Sequence, residues 1–229
     1  MYHVAVVALS GVLALAGSTL PPDTSPDTDV AGNVIAAAGE RLLALGFASA
    51  GPPAADPAAA SACLGGLDVP GAVAEFPGET SRAVSDTYAV FETEDTGEVV
   101  TVALFVVEED NASTLDWPVR RFGNEDTASC KLDEFMTPEV QQGPDPVVDV
   151  TATPDLGVGD GSSRLDMTVA VPLDGGATVQ FSQTFALARQ ANVLVVVSHL
   201  VAGEPISEFD PQAELTSVVD SLAAAQSSA

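Results

Sequence analysis

Few residues in this chain have the chemistry of catalysis or ligation. Among 229 residues, histidine occurs twice, cysteine twice and tryptophan once, against 33 acidic and 7 basic side chains. A Ser-His-Asp hydrolase would have to use His199, because His3 precedes an N-terminal run with signal-peptide character. No Gly-x-Ser-x-Gly elbow serves such a triad, since Ser162 and Ser163 follow Gly159-Asp160-Gly161 without the second glycine in place. His199 is in phase with Val193, Val195, Val197 and Val201 on one face of an expected strand. It therefore reads as a partly buried histidine near a strand end with one hydrogen-bond partner, rather than as a general base. A lone histidine cannot hold zinc, and there is no Cys-x-x-Cys or Cys/His cluster. The reading is of a non-enzyme with no catalytic residue, no metal and no cofactor.

Carboxylates need separate weighing, because two of them suffice for glycoside hydrolysis. The candidates Glu108/Glu109/Asp110 and Asp133/Glu134 are sequence neighbours whose side chains diverge. Oxygen-rich stretches at Asp155–Asp160 and Asp23–Asp29 lack the alternating acidic loop in which successive ligands surround calcium. The glycines at 157, 159 and 161 have neither the lysine nor the spacing of a phosphate loop. What remains as possible ligand contacts is Trp117 with Arg120 and Arg121, together with His199. Arginine reads carboxylate or phosphate as a fork, and tryptophan anchors interfaces. Their structural alternative is a helix core position for Trp117 and ion pairs with nearby acids for the arginines.

The net charge of −26 excludes nucleic acid and anionic membrane surfaces as partners, because both are bound by displacing counterions with Lys and Arg. Charge of this size with low hydrophobicity would mean disorder, but 46% of the residues are hydrophobic and the mean hydropathy is +0.27. No acid lies between Asp174 and Glu204, and Arg189 is the one charge in that stretch. The acids thus coat an ordinary core.

Residues 4–16 form an uncharged apolar run ending in Ala14-Leu15-Ala16, the small-x-small pattern cut by signal peptidase. A membrane span needs ~20 such residues, so the run is too short. Only Met1, Tyr2 and His3 precede it, which points to a start codon upstream or to an unusually neutral signal. No cysteine follows the run directly, so a secreted or extracytoplasmic, soluble, unlipidated chain is expected. In that compartment Cys63 and Cys130 should pair, removing ~4 kcal/mol of unfolded-state freedom in the loop-entropy model.

The elements that must position these residues follow from spacing. Residues 17–30, with Pro21-Pro22 and Pro26, read as a linker, and Val34, Ile35, Ala38, Leu42 and Leu45 then recur at helical intervals until Gly46. Residues 48–60 read as a loose Ala/Pro-rich lead. Strands are expected at 83–93 and 99–108 as a hairpin, and at 147–152, 163–171, 177–189 and 193–201. The last of these is apolar on both faces and hence central to the sheet. Short helices are expected at 111–122 and 125–135, and Leu215, Val218, Val219 and Leu222 mark an amphipathic helix over 211–225. The organisation is a signal peptide (1–16), a linker (17–30), a helix and lead (31–60) and one domain (61–226). Its class is α+β, an antiparallel sheet with helices packed on one face as a two-layer sandwich.

Several of these features resemble the actinobacterial PknH-like extracellular sensor domains and related secreted proteins. They are Cys63-Leu64 after a proline-rich lead, Leu104-Phe105-Val106-Val107, Leu115-Asp116-Trp117 with Phe122 and Cys130, the Gly157-Val158-Gly159-Asp160 turn, the 193–201 strand after Arg189, and the terminal helix. The resemblance spans about residues 60–225, without an attached kinase, a transmembrane segment or a lipobox. It implies a non-catalytic sensor or interaction domain with helices on one side of the sheet and a cleft opposite, binding a small molecule or an envelope protein through the sheet face that no helix covers; a monomer is expected. A carrier of an apolar molecule, motivated by Phe181, Phe185, Leu187 and the 193–201 strand, is the alternative, and a hydrolase at His199 comes third. The acidic coat further suggests a saline habitat, where screening relieves self-repulsion. Urea denaturation should accordingly show stability rising with sodium chloride concentration, and equal stability at low and high salt would remove this reading.

Overall fold

The computed structural model describes residues 26–50, 83–93, 97–127, 146–172, 177–203 and 208–227. Cys63, Cys130, the apolar run at 4–16, the turn at 174–176 and most of the helix expected at 125–135 lie outside them. Seven strands form one sheet: β1 (Ala48–Ala50), β2 (Ala83–Glu92), β3 (Glu98–Val107), β4 (Val147–Thr153), β5 (Gly161–Pro172), β6 (Thr178–Gln190) and β7 (Val193–Ala202). The spatial order is β1-β2-β3-β7-β6-β5-β4, and every neighbouring pair is antiparallel. Among the described residues three α-helices accompany it, α1 (Pro26–Ala44), α2 (Asp116–Phe122) and α3 (Pro211–Gln226), with a 3-10 segment, Glu109–Leu115, leading into α2. The class is α+β, and no helix among the described residues is long and apolar enough to cross a membrane.

β7 is the middle strand, as its two-sided apolar sequence requires. Alternation along it and its neighbours divides the core in two. On one face, Val100, Val102, Leu104 and Val106 of β3, Val193, Val195 and Val197 of β7, and Ala186 and Ala188 of β6 pack under Val34, Ile35, Ala38 and Leu42 of α1 and Leu215, Val218, Val219 and Leu222 of α3. On the other, Ala103, Phe105 and Val107, Leu194 and Val196, Phe185 and Leu187, and Leu165, Met167 and Val169 meet Leu115, Val119 and Phe122. Phe122 stands edge-on to Phe185 with ring centroids 5.1 Å apart. Helices therefore lie on both faces, which corrects the expectation of one helical face. The cause is that β3, β6 and β7 carry apolar side chains on both sides, and leaving either side bare costs ~25 cal/mol per Å² of apolar surface.

Three further differences have local reasons. α1 starts at Pro26, inside the segment expected to be linker. Proline suits the first helical position. Ala48–Ala50 is not loose but pairs with β2, Ser49 opposite Phe91. The segment expected as one helix from 111 is a 3-10 turn followed by α2, consistent with Pro118 being confined to the first turn of an α-helix.

Two polar devices fix the helical layer. Asp210 Oδ1 accepts the backbone N–H of Gln212 at 2.9 Å, capping α3 just before Pro211. Arg41 of α1 donates from Nε and a terminal nitrogen to the two oxygens of Glu214, at 3.1 and 2.6 Å, and Glu214 is buried. The fork fixes the rotation of α1 against α3 as well as their distance. Leu45 falls past the end of α1 and is 46% exposed, whereas Leu42 is fully buried. In urea denaturation, Leu42→Ala should cost ~2–5 kcal/mol, and Leu45→Ala should stay within about 0.5 kcal/mol of the parent chain.

Candidate functional site

Among the described residues two places collect polar groups, and they are distinct. The first is an open groove of about 520 Å³ where α2 meets the β4–β5 connection and the end of β6. α2 supplies Asp116, Val119 and Arg120. The chain leaving β4 supplies Pro154 and Asp155, followed by the glycine turn with Asp160 and Ser162. Arg189 closes the groove from β6.

Local chemistry shapes that turn. Asp155 Oδ1 accepts the Gly157 N–H at 2.8 Å, an Asx turn, and the Ser162 hydroxyl oxygen accepts the N–H groups of Leu156 and Val158 at 3.0 and 3.1 Å. Gly159 has a φ of +62°, and a Cβ there would stand 2.3 Å from the Arg189 carbonyl oxygen, so only glycine fits. Asp160 then locks the turn to the β6–β7 hairpin. Its N–H donates to the Arg189 carbonyl at 2.8 Å, and its Oδ2 accepts the N–H of Ala191 at 2.7 Å. Ala191 has a φ of +52°, a left-handed conformation that costs a residue with a Cβ some free energy and needs such support. The neighbouring Asn192 donates from its side chain to the Val107 carbonyl at 2.7 Å.

The arginines meet different partners. Nε of Arg189 lies 2.9 Å from Asp116 Oδ1, while Arg120 is exposed on the rim. The ion pairs among the described residues involve Arg41, Arg164, Arg189 and His199, and Arg120 takes no part in them. Trp117 is half-buried on α2 and does not line the groove. Arg121 is also half-buried, and its carbonyl accepts the Thr127 hydroxyl at 2.5 Å.

The second place is a row across the sheet on the face that carries α1 and α3. Backbone register sets His199 opposite Thr184, Thr184 opposite Asp166 and Asp166 opposite Thr151. Thr184 donates to Asp166 Oδ1 at 2.6 Å. Arg164, two residues from Asp166 and on the same face, grips both its oxygens at 2.7 and 2.8 Å. That hydrogen bond raises the guanidinium pKa above its ordinary value, against the opposing effect of burial. At the inner end of the row, His199 Nε2 lies 3.3 Å from Glu98 Oε2. Glu98 is fully buried and His199 is 8% exposed. The imidazole also meets the ring of Phe209 edge-on, at 5.0 Å between centroids.

Of the sequence candidates, the structure thus puts Arg120 on the groove, Trp117 and Arg121 beside it, and His199 in the core on another element. Asp116, Asp155, Asp160 and Arg189 complete the groove, and Glu98 completes the His199 pair. Glu98 had a legible signal, since it is in phase with Val100, Val102 and Leu104 on the side of β3 that faces α1 and α3. Arg189 had one too, as the one charge in the acid-free stretch. Among the described residues no group of three or more His, Cys, Asp or Glu is arranged to hold a metal ion.

No protein-family model matches the chain, and a search of curated proteins finds no match either.

Burial lowers the His199 pKa below its ordinary value of about 6.5, with Glu98 opposing the shift in part. The unfolded chain then binds the proton more readily than the folded one. Stability from neutral His199 is present above about pH 6.5 and is lost as the pH falls through the window between that value and the lowered one. Urea midpoints measured from pH 7.5 downward should fall less steeply for His199→Gln than for the parent chain over that window, because glutamine stays neutral. Parallel slopes would show that the pair does not carry this linkage.

Proposed function

We propose that the chain is a non-catalytic, exported binding domain that takes a small ligand or an envelope partner in the groove at α2. One observation carries this reading: two of the 7 basic residues of a −26 chain converge on one open polar groove. In a surface dominated by carboxylates, arginine placed this way is the group best suited to recognition. The volume, about 520 Å³, falls in the range of small-molecule sites. The apolar run at 4–16 supports export, and the resemblance to sensor domains supports binding without catalysis.

The competing readings lack their key residues at a free site. His199, the base a hydrolase would need, has its Nε2 on buried Glu98 and its ring against Phe209. Phe185 and Leu187, which suggest an apolar carrier, are packed in the core beneath α2.

Native mass spectrometry of protein purified from its own host tests the proposal. The parent chain should carry a small adduct that Arg120→Gln loses without a change in melting temperature. An adduct that survives the substitution would place binding elsewhere and overturn the groove reading. A chain free of adduct would shift the reading from a small ligand to a protein partner.

A further inference from the structure

Resting on the groove reading above, we infer that the ligand carries both signs of charge, a zwitterion of the amino-acid or short-peptide class. The groove holds two cations, Arg120 and Arg189, and three carboxylates, Asp116, Asp155 and Asp160. These five charges are not equally committed. Arg189 and Asp116 form an ion pair, 2.9 Å from Nε to Oδ1, although that buried Nε makes no hydrogen bond. Asp155 and Asp160 each give one oxygen to the turn, Oδ1 to Gly157 and Oδ2 to Ala191, leaving the other oxygen of each carboxylate outside those bonds. Arg120 is exposed on the rim and outside the ion pairs of the described residues.

The electrostatics select among ligand classes. A purely anionic ligand approaches through the field of a −26 chain and then meets three carboxylates beside the arginines. A purely cationic ligand meets Arg120 and Arg189. A zwitterion has no net charge for the distant field to repel, and at the groove each of its ends finds a group of opposite sign. Its carboxylate takes the Arg120 fork, its ammonium takes the outer oxygens of Asp155 and Asp160, and Val119 and Pro154 offer apolar contact to what lies between. Gly157 and Gly161 leave that side of the turn open, since a Cβ at either would meet nothing within 4 Å.

Calorimetric titration of the full chain with the dipeptide Ala-Leu at low salt tests the inference, using free, N-acetylated, C-amidated and doubly capped forms. The free dipeptide should bind. Each single cap should weaken binding by about 10-fold, the loss expected for one charge-assisted hydrogen bond, and both caps should abolish it. Arg120→Gln should weaken the free dipeptide by a similar factor yet leave the cationic C-amidated form bound no more weakly than by the parent chain, which a general loss of structure would not do. Equal binding of capped and free forms, or no heat from the free dipeptide at millimolar concentration, would overturn the inference. If in that case the host-derived adduct still depends on Arg120, the groove reading stands and the zwitterion fails. If neither depends on it, both fail.

Discussion

Everything in this fold answers to β7. Nine of its ten residues are buried, with only Ala202 half-exposed, and it exchanges hydrogen bonds with β3 on one side and β6 on the other. A strand with apolar side chains on both faces has to be central, and it has to be covered twice. α1 and α3 cover one face, joined through Arg41 and Glu214. The other is met by Leu115, Val119 and Phe122, and this short helix would otherwise have no reason to sit where it does. Since α2 must reach Phe185 and Leu165 near the β4–β5 and β6–β7 turns, its polar side is brought over those turns. The groove is the space left between them. The candidate site is thus a by-product of covering the second face, which rigid strands on one side and a braced turn on the other hold in shape.

Charge is distributed according to a similar economy. With 33 acids and 7 bases, each arginine is a scarce partner. Arg41 joins two helices, Arg164 holds Asp166 on the open part of the sheet, and Arg189 holds Asp116 at the start of α2. Ion pairs in part-exposed positions contribute little each, but a bidentate fork constrains geometry more than it adds stability. Arg120 departs from this pattern, which is why its position at the groove bears on function. His199 and Glu98 show the opposite case. A titratable pair lies in the core, with the imidazole ring against Phe209 and its Nε2 3.3 Å from Glu98, so the buried histidine has a hydrogen-bond partner. Glu98 shares the period of the buried residues of β3, so the placement follows from the alternation itself.

Much of this was legible in advance. The hairpin of β2 and β3, the four later strands, the central place of β7, the buried stripe Leu165-Met167-Val169 and the terminal helix all follow from periods of two or three to four in the apolar residues. α1 was legible in its core, Val34 to Leu42, but not at its ends. Its start lies at Pro26 inside a segment with no apolar period, and Leu45 keeps the helical spacing although the helix has already stopped before Gly46, which has a φ of +92°. β1 was not legible, because three residues of Ala-Ser-Ala carry no period and become a strand only when β2 offers an edge.

By itself the sequence determined the class of fold, the order of its strands' burial and the acidic surface, because apolar periodicity and composition act locally and add along the chain. It also limited the chemistry, since a single histidine beyond residue 3 has to be either base or core. Only the tertiary structure showed which groups surround it. It set His199 against Glu98, 101 positions away, and brought Arg120 to Arg189 and Asp160 across three elements. Contacts between distant residues depend on register and on which face a helix must cover, and neither is written in any one segment.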